Sequence, residues 1–134
     1  MKQIILDADG AVYGRLCSFA AKQALEGNEI IIVNCEKAVI TGRREDILGK
    51  YGSLRKKGGS SLKGPRHLSA SYRMMKRTIR GMVPDFRVGI GREAFKRVMC
   101  YNGVPTEFVG KKMIKSGKIK HDRYIQLNEL SKTL

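Results

Sequence analysis

Residues 3–33 read QIILDADGAVYGRLCSFAAKQALEGNEIIIV, and the spacing of their apolar side chains decides the fold. Gln3-Ile4-Ile5-Leu6 is a short apolar run closed by Asp7-Ala8-Asp9-Gly10, the pattern of a buried strand running into a turn. From Arg15 to Glu26, Leu16, Phe19, Ala20 and Leu25 fall near helical spacing, and Gly27 stands where a helix C-terminus favours a left-handed residue. Ile30-Ile31-Ile32-Val33 is four β-branched residues in succession, which suits a strand covered on both faces. Strand, helix and strand form a βαβ unit with a right-handed crossover, so the expected class is α/β.

Outward from this unit, Lys37 to Ile40 is read as a third short strand, and Thr41-Gly42 opens a helix over 43–54 with Ile47, Leu48, Tyr51 and Leu54 inward. RKKGGSSLKGPRH, residues 55–67, is a loop by composition. Leu68, Tyr72, Met75, Ile79 and Met82 step by four, three, four and three, the inward stripe of a helix that stops before Pro84. A helix over 91–97, a last sheet strand at Val98-Met99-Cys100-Tyr101 and a short helix over 128–134 complete the pattern. The expected organisation is a single domain over 1–134, with its core in roughly 1–104 and a basic extension, thin in core residues, over roughly 105–134.

Charge is the outstanding property of the composition: 27 Lys and Arg against 12 Asp and Glu leave a net +15. Residues 1–46 carry net −1, residues 47–84 carry +10 without one carboxylate, and residues 85–134 carry +6. A near-neutral scaffold joined to a one-signed surface points to a polyanionic partner, since a coat kept for solubility mixes its signs. No apolar run is long enough to span a membrane, and the N-terminus lacks a signal-peptide pattern, so the expected location is the cytoplasm. Cys17, Cys35 and Cys100 are odd in number and lack C-x-x-C spacing; reduced, buried thiols are expected, and no metal or other cofactor.

Gly89, Gly91 and Ala94 match G-x-G-x-x-A, the dinucleotide-binding turn. That motif needs a strand running directly into it, and Pro84-Asp85-Phe86-Arg87 is not a central strand. Asp7 and Asp9 resemble the start of a calcium loop without its bidentate Glu, and GKYGSLRKKGGSS lacks P-loop spacing. His67 and His121 are the only imidazoles, and His67 sits in a basic loop without a neighbouring carboxylate, so no small-molecule substrate is expected.

The cations instead mark a nucleic-acid surface. Arg43 and Arg44 open the second helix; Arg55, Lys56, Lys57, Lys63 and Arg66 occupy the loop; Arg73, Lys76, Arg77 and Arg80 lie off the apolar stripe of the next helix. Arg87, Arg92, Lys96 and Arg97 follow, then Lys111, Lys112, Lys115, Lys118 and Lys120. Charge spread over helices, loops and extension suits a folded RNA, whose phosphates converge from several directions, better than one DNA groove. A binder of other nucleic acids, or a nucleotide-dependent enzyme, is the alternative.

Ile79-Arg80-Gly81-Met82-Val83-Pro84, Gly91-Arg92-Glu93-Ala94-Phe95-Lys96-Arg97-Val98 and Tyr101-Asn102-Gly103 resemble the signature of the large-subunit ribosomal protein thirteen family, in its archaeal and eukaryotic-like form. Tyr13-Gly14-Arg15-Leu16, Val33-Asn34-Cys35-Glu36-Lys37 and Ile40-Thr41-Gly42 are similar to its N-terminal blocks. The resemblance covers nearly the whole chain, and Cys100 departs from it where an aliphatic residue is expected. It implies three layers, α/β/α, around a four-stranded parallel sheet ordered 3-2-1-4. It also implies a non-catalytic constituent of the large ribosomal subunit that binds large-subunit rRNA directly, joins early in assembly and meets neighbouring ribosomal proteins.

Overall fold

The chain runs β1 (Gln3–Asp7), α1 (Tyr13–Leu25), β2 (Glu29–Val33), β3 (Val39–Thr41), α2 (Arg44–Lys56), α3 (Ser71–Met82), α4 (Gly89–Lys96), β4 (Val98–Cys100), β5 (Ile114–Lys115), β6 (Tyr124–Gln126) and α5 (Leu127–Thr133). This is a computed structural model, and it describes residues 2–57, 59–64, 67–115 and 123–134. β1 and β2 pair in parallel, with Ile4 beside Ile30 and Leu6 beside Ile32. β4 adds in parallel beyond β2, and β5 in parallel beyond β1. Counted in chain order these four strands lie 3-2-1-4, the parallel α/β sheet expected.

Two of its members differ from the sequence reading. Val39–Thr41 is a strand, but it pairs antiparallel with β6 in a separate two-stranded sheet. The fourth place is taken by Ile114–Lys115, inside the basic extension, where no strand was expected. A two-residue edge strand carries no period-2 signal, and short edges bearing a lysine are one way sheets avoid pairing with other chains.

The run Ile30–Val33 divides its side chains between two faces, as strand alternation requires. Ile30 and Ile32 join Leu6, Val98 and Cys100 in the main cluster, under α1, α3 and α4. Ile31 and Val33 join Ile5 on the other face, where Phe108 from a 3-10 turn (Thr106–Phe108) covers them. Burying each such side chain contributes roughly 1.5–3 kcal/mol. The segment after residue 104 is richer in core than its composition suggests: Ile125, Leu127 and Leu130 are fully buried in the main cluster.

Helix α1 presents Tyr13, Leu16, Cys17, Ala20, Ala21 and Ala24 to the interior, whereas Phe19, expected inward, is 42% exposed. The small alanines bring α1 close to its neighbours, and the bulky ring stays outside. Tyr13 pins α1 to α3: its hydroxyl donates to the Met74 carbonyl at 2.7 Å and meets the Thr78 hydroxyl, and burial pushes its pKa far above the ordinary tyrosine value. The three cysteines are free and buried. Burial pushes the Cys17 thiol up to about 12, and a hydrogen bond with Cys100, together with burial, also raises Cys35. Cys17 and Cys35 are thus core thiols held protonated, the opposite of a nucleophile's environment.

The glycine pattern of residues 89–94 has a packing origin. Gly89 opens α4 with φ +63°, and Ala94 is fully buried. A Cβ on Gly91 would collide with the Pro84 and Asp85 carbonyl oxygens, so the helix start and the preceding turn touch backbone to backbone. Gly91→Ala is therefore expected to destabilise the fold by roughly 2–4 kcal/mol. Gly81→Ala, where nothing lies within 4 Å of an added Cβ, should leave stability unchanged or raise it by up to about 1 kcal/mol. Urea unfolding followed by circular dichroism checks both.

Candidate polyanion-binding face

Helix α3 sets the face. It buries Ser71, Met74, Met75 and Ile79, so Arg73, Lys76, Arg77 and Arg80 emerge from the rest of its circumference. The inward stripe is rotated from the one read in the sequence: the helix begins at Ser71, and Leu68 and Met82 are 45% and 42% exposed. Tyr13 bonds to the Met74 carbonyl on this buried side, and periodicity within α3 alone carries no trace of that partner.

Around α3 the cations gather into stations. In the first, Lys50, Arg55, His67, Arg73 and Arg77 rim a cleft of about 250 Å³ floored by Tyr13, Tyr51, Leu54 and Met74. The Arg55 guanidinium donates to the His67 carbonyl at 3.4 Å, tying α2 to the segment before α3. The His67 pKa is lowered from its ordinary 6.5, first by desolvation and then by the Arg77 and Lys57 charges, so the imidazole reports the positive potential around it. In the second station, Arg80 and Arg87 lie 4.6 and 5.3 Å from the Phe86 ring centre, and the Lys76 ammonium lies 5.3 Å from that of Phe95. A third is a shallow hollow lined by Gly42, Arg43, Arg44, Glu45, Arg123 and Tyr124, where Arg44 also forms an ion pair with Glu129 of α5.

Other expected residues stand apart from these stations. Lys56 ends α2 and Lys57 and Lys63 follow it, all three exposed, and Arg92 and Lys96 are exposed on α4. Arg97 turns inward: its guanidinium donates to the Ala24 carbonyl at 2.9 Å, capping α1, and lies 3.8 Å from Glu93. Lys111 sits over Phe108, on the opposite face of the sheet from α3, and Lys112 is exposed beside it. Arg66, Lys118, Lys120 and His121 lie outside the described residues. Sequence reasoning missed Lys50, Arg123 and the aromatic partners. Lys50 follows Gly49 and precedes Tyr51 in a helix already assigned, a neighbourhood that could have been weighed.

The place where a doubly wound sheet binds nucleotides, at the strand C-termini, is closed by the chain itself. The Asp7 carboxylate accepts the Asp9 N–H and the Asn34 side-chain amide, each at 3.0 Å. The Ala8 and Gly10 N–H groups donate to the Val33 and Lys37 carbonyls. The turn donors that a pyrophosphate would need are therefore used. Among the described residues no group of three or more His, Cys, Asp or Glu is placed to hold a metal, and no helix is long and apolar enough to cross a membrane.

Comparison with known proteins adds a sequence-wide likeness. A family model described as ribosomal protein L13 matches residues 1–107. The chain is 42% identical over 135 residues to the large ribosomal subunit protein uL13 of Methanocaldococcus jannaschii, covering 97% of this chain and 96% of that protein. It is 40% identical over 136 residues to uL13 of Methanosarcina barkeri, with the same coverage. With uL13 of Archaeoglobus fulgidus it shares 38% over 136 residues, 97% of this chain and 86% of that one.

The positive field at His67 yields a direct test. In the free protein the imidazole should titrate below 6.5, and a bound polyanion, by offsetting the Arg77 and Lys57 charges, should raise its pKa. By linkage, binding then tightens as pH falls through that range. Titration of the His67 ring protons by NMR with and without RNA reads the shift, and an unmoved pKa would place the polyanion elsewhere.

Proposed function

The chain belongs to the ribosomal protein L13 family, and on that premise we propose that it is a structural constituent of the large ribosomal subunit, binding large-subunit rRNA directly through its cationic face. The observation that carries this reading is the placement of the cations: stations on α2, α3, the turn before α4 and the β3–α2 junction aim at several phosphate paths at once. One groove of duplex DNA offers a narrower target, whereas converging rRNA helices present phosphates from many sides. The contacts fall to Arg43, Arg44, Arg55, Lys56, Lys57, Lys63, Arg66, Arg73, Lys76, Arg77, Arg80, Arg87, Arg92 and Lys96, with Lys111 and Lys112 on the far side of the sheet. Arg97 joins them through the edge of its guanidinium not held by Ala24.

Binding joins early in subunit assembly, because a body that carries its cations on packed helices needs no neighbour to present them. The whole chain acts as one domain in the cytoplasmic ribosome, beside other large-subunit proteins. Its role is architectural, without cofactor or substrate; protonated core thiols and a closed strand-end crevice support that reading.

At about 0.15 M salt, where the screening length is roughly 8 Å, large-subunit rRNA fragments are expected to displace duplex DNA and anionic vesicles from the protein. Replacing Arg80, Arg87 and Arg92 together by Glu should lower rRNA crosslinking on the order of a hundredfold while the circular dichroism stays unchanged. Undiminished crosslinking would remove this face from the interaction.

A further inference from the structure

The proposed function treats the cations as a surface; the aromatic rings beneath them point to something more specific. Phe86 and Phe95 are half-buried against the main core, their centres 6.2 Å apart with planes tilted by 51°. Three cations from two elements use these rings. Lys76 and Arg80, one turn apart on α3, lie over Phe95 and Phe86 respectively, and Arg87 approaches Phe86 from the turn that precedes α4. That turn is itself braced, since the Asp85 carboxylate accepts the Arg87 backbone N–H at 3.1 Å and Gly91 packs directly on Pro84.

We infer that Phe86 and Phe95 are positioning residues that hold Lys76, Arg80 and Arg87 as one preassembled site for phosphodiester groups of the RNA backbone. A guanidinium resting on a ring uses its π face there and keeps its N–H edge free to donate to phosphate oxygens. Unsupported, each of these long side chains would lose rotamer freedom on meeting the phosphate. Here much of that ordering precedes binding. Like charges gathered round two adjoining rings also repel, and an anion seated between them relieves that repulsion. Arg80 lies over Phe86 itself, which favours a phosphate ligand over a stacked base. This inference rests on the rRNA-binding reading, and its test separates the two.

Phe86→Leu keeps an apolar side chain on the core and removes the ring; Phe86→Tyr restores it. Binding of each to a large-subunit rRNA transcript is measured across a salt series, with melting temperature as the control for folding. Phe86→Leu should bind roughly ten-fold more weakly, the ordering of one or two long side chains, with the salt slope of the wild type because every cation remains. Phe86→Tyr should bind like the wild type. In the free wild-type protein, the Arg80 and Arg87 Nε–H resonances should show upfield ring-current shifts. A folded Phe86→Leu protein that binds as tightly as wild type overturns the inference and leaves the rRNA reading standing. Should that variant unfold, unshifted arginine resonances in the wild type overturn it instead. Wild-type protein that does not bind rRNA overturns both.

Discussion

A chain with 27 Lys and Arg and 12 Asp and Glu cannot neutralise itself by pairing, whatever shape it takes. Its fold must therefore survive its own surplus charge and leave that surplus where something else can meet it. The first requirement is answered by the apolar run Ile30–Val33, dry on both faces of the sheet and packed by α1, α3 and α4 on one of them. The second is answered by those same elements, since a helix that buries Ser71, Met74, Met75 and Ile79 has no place for Arg73, Lys76, Arg77 and Arg80 except outside. Core and cationic face are thus two sides of one helix.

Some cations also hold the molecule together. Arg97 caps α1, and Arg44 reaches Glu129 of α5; both stitch elements distant in sequence. Around Phe86 and Phe95, Lys76 and Arg80 lie over the rings. The His67 pKa is lowered first by desolvation and then by the Arg77 and Lys57 charges, so the cations gathered here add to the shift. A partner rich in phosphate removes that strain, which joins the fold's electrostatics to the architectural role proposed for it.

Much of this was legible in the sequence. Four β-branched residues in a row can hardly be anything but a buried parallel strand, and with the preceding strand and helix they fix the βαβ unit. The surplus of positive charge in residues 47–84 is legible from composition alone. What stayed hidden depends on partners far away in the chain. Val39–Thr41 looks like a sheet strand from its own residues, and only Tyr124–Gln126 decides that it pairs outside the main sheet. Ile114–Lys115 is too short to show alternation. Of the stripe read for α3, Met75 and Ile79 are buried and Tyr72 packs on the core, while the ends Leu68 and Met82 are exposed. Ser71 and Met74 are buried in addition, Met74 beside Tyr13, some sixty residues earlier. Phe86 and Phe95 gave no sign of their role, since a cation–π contact between a turn and a helix has no fixed spacing.

The claim underlying all of this is that phosphate groups of large-subunit rRNA supply the charge the chain lacks. It is tested most directly by the dependence of the wild-type association constant on salt. If six or more cations meet phosphate, the logarithmic slope should be steep, roughly −0.7 to −0.9 for each contact. A slope near zero, or one equally steep and an affinity equally high for arbitrary duplex DNA, would contradict the account.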